Sequence, residues 1–197
     1  MLDSIKLRKS TFELYKKAII EISESVNLLT SKNLNLCIIT FTRQLFEVAR
    51  TLEILAENHK LTSAYYLEVR KTEFNKMQKS ELDVEGKDEY ISNSIEPNIK
   101  ELNDLMSADN VELNDFVKAK KLWDEQNKDV SFYNKISEGL HLDINFLIVH
   151  YLQNKDVAEK YNLQTDWDEN KRLQLSKELF DHWLRRCDNA ITSITNH

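Results

Sequence analysis

Apolar side chains recur every three or four positions through long stretches of this chain, the period of an α-helix that buries one face. Phe12, Tyr15, Ile19, Ile22, Val26 and Leu29 keep that spacing without a break. The run Ser10-Thr11-Phe12-Glu13 ahead of them has the form of a capping box, so a first amphipathic helix is predicted to open there. Thr30-Ser31-Lys32-Asn33 reads as a turn, after which Leu34, Ile38, Phe41, Leu45, Val48, Leu52 and Leu55 carry the same period towards Asn58. Ile39 and Phe46 lie on the opposite side from that stripe. A helix apolar on two sides must be covered on both, which predicts a buried, central second helix.

The pattern then weakens. Tyr65, Tyr66, Val69, Phe74 and Met77 sit in poorer register among many charges between Thr62 and Gln78, as expected of a long, partly exposed arm. SELDVEGKDEY marks a break, and Ser94-Ile95-Glu96-Pro97 suits a helix start because proline is tolerated in a first turn. Short helices over 98–107 and 111–126 follow, with 80–110 expected to be a mobile connection. Phe132, Ile136, Leu140, Ile144, Leu147 and Tyr151 make the core stripe of a helix from Val130 to Leu152. Asp166-Trp167-Asp168-Glu169 is a second capping box, opening a last helix with Leu173, Phe180, Trp183, Cys187, Ala190 and Ile194 inward.

Composition agrees with an all-α fold. Two glycines and one proline in 197 residues are too few for the positive-φ turns of hairpins, sheets and phosphate-cradling loops. The expectation is a single domain over residues 1–197, a bundle of about six to seven helices around the second. Lys+Arg 27 against Asp+Glu 33 gives a net charge of −6, which disfavours a phosphate backbone as partner. The densest basic stretch, Arg70, Lys71, Lys76 and Lys79, is interleaved with Glu68, Glu73 and Glu81, the form of a solvated helical face. Cys37 and Cys187 have neither a disulfide framework nor metal-ligand spacing and read as buried thiols in a reducing compartment. The start MLDSIKLRKS lacks the apolar run of a secretion signal, and no stretch is long enough to cross a bilayer, so a cytoplasmic location is expected.

Two polar constellations carry candidate chemistry. Arg43 and Glu47 stand one turn apart on the central helix, with Arg50 a further turn along, between apolar neighbours. Were that pair buried, removing Glu47 would orphan a charge and cost about 3 kcal/mol. Tyr133, Ser137 and His141 stand four apart and form a polar ladder that could meet the pair from another helix. Their hydroxyls and imidazole could bind an anion beside Arg43. They could equally be structural, with Tyr133 packed and its hydroxyl at the rim, and Ser137 bonded back to a carbonyl.

Metal chemistry finds little support. Glu138 and His141 have the Glu-x-x-His spacing of a di-iron ligand pair, but the second copy that such a site needs is missing, and no HExxH occurs. No metal and no cofactor are expected. His59 and His150 lack ligand-like neighbours, and Trp123, Trp167 and Trp183 read as core or cap packing.

TFTRQLFEVARTLEILAENHKLTSAYYLEVRKTEFNKM, followed by KAKKLWDEQNKDVSFYNKISEGLHLDINFL, resembles an uncharacterised bacterial all-helical family over residues 34–150. That family has an Arg-x-x-x-Glu helix and a later Tyr-x-x-x-Ser-x-x-x-His helix; the matching residues are Arg43, Glu47, Tyr133, Ser137 and His141. Its architecture is similar to the HEPN bundles of bacterial defence and toxin systems, many of which cut RNA with an Arg and a His five to seven positions apart on one helix. This chain departs from that pattern, since no Arg lies five to seven positions before His59, His141, His150, His182 or His197. The resemblance therefore implies a non-catalytic helical interaction protein of a bacterial or phage conflict system, with a protein partner or a second copy of itself. Two alternatives use the same residues: a metal-independent ribonuclease with His141 as general acid/base and Arg43 stabilising the phosphorane, or a small-anion or nucleotide sensor.

Overall fold

The computed structural model describes residues 3–32, 35–79, 86–127 and 169–195, and among these there is no strand. The helices are α1 (Ser4–Ser31), α2 (Asn35–Glu57), α3 (Leu61–Lys79), α4 (Lys87–Tyr90), α5 (Glu96–Asp109), α6 (Leu113–Gln126) and α7 (Glu169–Thr195), with one π-helical turn, Ile91–Ile95, between α4 and α5. The fold is an all-α bundle. The ladder helix expected over Val130–Leu152 and the capping residues Asp166, Trp167 and Asp168 lie outside the described residues, as do Leu34 and the side chains of Cys37 and Leu173.

α2 runs through the middle. It packs against α1, α3, α6 and, most extensively, α7. Of its main stripe Ile38, Leu45, Leu52 and Leu55 are fully buried, and Phe41 and Val48 are half-buried against the same core. Phe46, on the second side, is 1% exposed. Covering both sides of one helix needs partners on both, and α7 supplies Phe180, Trp183, Cys187, Ala190 and Ile194, all buried. α1 contributes Phe12, Ile19 and Val26, so its predicted stripe faces inward as the spacing required.

Two helix starts differ from those the sequence suggests. α1 begins six residues before Ser10, where the Asp3 carboxylate accepts the Ile5 N–H at 2.8 Å and caps the helix. Thr11 is interior instead, its hydroxyl donating back to the Leu7 carbonyl at 2.7 Å. Pro97 does stand in the first turn of α5, yet the chain is already helical before it. A proline inside a running helix withholds one N–H and crowds the carbonyl four residues back, here that of Asn93. The wider π turn at Ile91–Ile95 gives it room, and α4 and α5 run on as one rod. Ile95, Leu102 and Met106 anchor that rod with buried side chains against α3.

α3 divides as an arm should. Leu61, Thr62, Ser63, Ala64 and Leu67 are buried, whereas Val69 is 44% exposed. No described helix is long and apolar enough to cross a membrane.

Because Phe46 fills the space between α6 and α7, Phe46→Ala should lower stability by about 3–5 kcal/mol, the usual loss when a buried ring leaves a cavity. Leu122→Ala, at a side chain 54% exposed on α6, should change it by less than about 0.5 kcal/mol. Urea unfolding of both variants checks the difference.

Candidate functional site

The charged centre of the bundle is built on the second side of α2. Phe46, Arg50 and Glu53 recur there at intervals of four and three, so they stack along one face. Arg50 is 8% exposed. Its guanidinium donates to both oxygens of Asp124 on α6, at 3.1 and 3.3 Å, and also meets the carboxylate of Glu47. It lies 5.4 Å from the Phe46 ring centre. Two carboxylates and an aromatic ring thus offset the desolvation of one cation.

Glu53 holds the other half. Arg186 on α7 donates to it as a fork, Nε to Oε1 at 2.7 Å and a terminal nitrogen to Oε2 at 2.5 Å. Trp123 Nε1 donates to Oε2 at 2.7 Å. The Arg186 guanidinium is also 5.1 Å from the Trp123 ring and 5.0 Å from the Trp183 ring. Phe46 meets Trp183 edge-on at 4.7 Å and Trp123 at 5.5 Å. Three helices are clasped through one carboxylate and three aromatic rings, an arrangement that fixes register.

A second cluster joins α1 and α3. The hydroxyls of Tyr15 and Tyr65 are 2.5 Å apart, and Thr11 and Tyr66 are hydrogen-bonded at 3.1 Å. Tyr65 also packs on Phe116 of α6, ring centres 5.2 Å apart. Burial, reinforced by the neighbouring Tyr65, pushes the Tyr15 phenol well above its ordinary value. Burial likewise raises Tyr65, against the lowering effect of its bond to Tyr15. A cleft of about 160 Å³ opens beside this cluster, lined by Thr11, Leu14, Tyr15, Tyr65, Tyr66 and Val69. Cys187 donates weakly to the Leu45 carbonyl, and burial pushes its thiol up to about 12, so it stays protonated and inert.

The residues singled out by spacing are distributed as follows. Arg43 is half-buried on α2, and Glu47, with its side chain 43% exposed, reaches Arg50 one turn along. Tyr133, Ser137 and His141 lie outside the described residues. Trp123 and Trp183 are core residues, as expected. Sequence reasoning missed Glu53, Asp124 and Arg186. The available signal was the position of Arg50 and Glu53 on the same side as Phe46, together with Arg186 standing between the inward Trp183 and Cys187. No group of three His, Cys, Asp or Glu side chains suited to a metal ion occurs among the described residues.

The geometry moves the energetic weight from Glu47 to Glu53. Arg50 keeps Asp124 when Glu47 is lost, so Glu47→Ala does not orphan Arg50 and should cost less than Glu53→Ala. Glu53→Ala removes the carboxylate that Arg186 and the Trp123 N–H share and should cost about 2–3 kcal/mol. Equal losses in paired thermal melts would contradict this assignment. Alkaline titration tests the tyrosines. Both phenols hold their protons in the folded chain to higher pH than in the unfolded one, so their contribution is complete below about pH 10 and falls as pH rises above it. Tyr15→Phe should reduce that alkaline loss.

Comparison with protein-family models, with curated proteins and with solved structures finds no match to this chain.

Proposed function

We propose that this chain is a non-catalytic helical interaction protein that works in a bacterial or phage conflict system. The observation that supports the first part is the closure of the Glu53 cluster. Its carboxylate takes three donors, Nε and a terminal nitrogen of Arg186 and Nε1 of Trp123, and its cation is covered by two indole rings. Arg50 is likewise held by Asp124 and Glu47. A carboxylate with three donors already in place positions helices and has little capacity left for a substrate. The conflict-system setting rests on the resemblance of residues 34–150 to a HEPN-like helical family.

The test is a direct assay of the purified full chain on single-stranded and hairpin RNA in the presence of a chelator. The expected result is no cleavage above buffer, and His141→Ala with an unchanged melting temperature and unchanged self- or partner association. Cleavage that His141→Ala or Arg43→Ala abolishes at an unchanged melting temperature would replace this reading with the ribonuclease. A melting temperature raised by added nucleotide, and no longer raised in Arg43→Ala, would replace it with the sensor.

A further inference from the structure

α1 shows its outer face to solvent along its whole length, and that face is organised. Leu14 at 61% and Leu28 at 58% are the two most exposed large apolar side chains among the described residues. They are two heptads apart, so they lie on the same side of the helix, roughly 21 Å from one another. Between them the same side carries Lys17, Glu21 and Glu24, all exposed. None of these three takes part in an ion pair among the described residues. The charges are also sorted: Lys6, Lys9, Lys16 and Lys17, with Glu13 the one acid among them, precede Glu21 and Glu24. Basic residues early and acidic residues late run against the helix dipole, so helix stability does not account for the order.

A second copy of the same helix, laid antiparallel, gives Leu14, Leu28, Lys17 and Glu24 each a partner. We propose that α1 is a homodimer interface, closed about a two-fold axis near Glu21. This inference rests on the interaction reading above and names the partner as a second copy of this chain. An isologous contact about that axis sets each residue opposite the one equally far on the other side of it. Leu14 then stands level with Leu28 of the second copy, and Lys17 within one residue's rise of Glu24 of the second copy, each twice. The cleft of about 160 Å³ between Leu14 and Val69 lies beside the meeting point and is of a size to seat the Leu28 side chain of the second copy. Glu21 meets its own equivalent at the axis, flanked by the two Lys17 side chains. That central repulsion keeps the dimer reversible.

Sedimentation velocity of the full chain over a concentration series is the primary measurement, with circular dichroism as the check that each variant is folded. The wild-type chain should pass from monomer to dimer. Lys16→Glu with Lys17→Glu in one variant, and Glu21→Lys with Glu24→Lys in another, should each weaken self-association by about tenfold or more, and an equimolar mixture should recover it as a heterodimer. Leu28→Glu should weaken it comparably, and Glu21→Gln should tighten it. All five positions are exposed, so loss of fold does not confound the result. A wild-type chain that stays monomeric throughout overturns the proposal, as does a dimer indifferent to these substitutions. Neither result bears on the RNA assay, so failure of the dimer and failure of the non-catalytic reading are told apart.

Discussion

A helix that must be covered on both sides and that carries Arg50 and Glu53 on one of them sets the terms for the rest of the molecule. Burying α2 removes its polar groups from water, and each must then be met from a neighbouring helix. Asp124 and Trp123 come from α6 and Arg186 from α7, which places those two helices at a defined height and rotation along α2. The aromatic rings make that arrangement tolerable. Trp123 and Trp183 cover the Arg186 guanidinium while serving as core, and Phe46 fills the space between them. A purely apolar second face would bury as much area yet permit α6 and α7 to slide by a turn, whereas a forked Arg–carboxylate contact permits one register.

The tyrosine cluster plays the same part on the other side. Tyr15 and Tyr65 each bring a large apolar body and one hydroxyl, and each hydroxyl finds the other. α1 is thereby tied to α3, and through Tyr65 and Phe116 to α6. The α4–α5 rod joins this side by packing on α3, with its one proline absorbed by a π turn rather than by a break. Both seams bond their polar groups to one another between helices, while the outward face of α1 keeps exposed leucines and charges outside any ion pair among the described residues.

The period of apolar residues sufficed to find the helices, because a helix that buries one face has to repeat its apolar positions. It located the inward stripes of α1, α2 and α7 and the two-sided nature of α2, and it anticipated Trp123 and Trp183 as core. It misjudged two helix starts, since Ser10-Thr11-Phe12-Glu13 has the letters of a capping box while Thr11 bonds back to Leu7 inside a longer helix. It paired Arg43 with Glu47 by spacing along one helix. The pairing of Glu53 with Arg186 spans 133 positions, and no periodicity along a single element records which residue of another helix lies opposite. Candidate chemistry was legible as residue type, and its partners were a property of packing.

That distinction bears on how the interior and the surface divide the work. The Glu53 carboxylate, met by three donors from two helices, strengthens one geometry and has little left to offer a ligand. An exposed charge without a partner has the opposite character. Its pairing within the chain would be worth only tenths of a kcal/mol, so its placement is free to serve recognition. On α1 the basic residues precede Glu21 and Glu24, against the helix dipole, and Lys17, Glu21 and Glu24 lie between two exposed leucines two heptads apart. Neither the stability of α1 nor the packing of the bundle calls for that order, whereas an antiparallel copy of the same helix sets Lys17 beside Glu24.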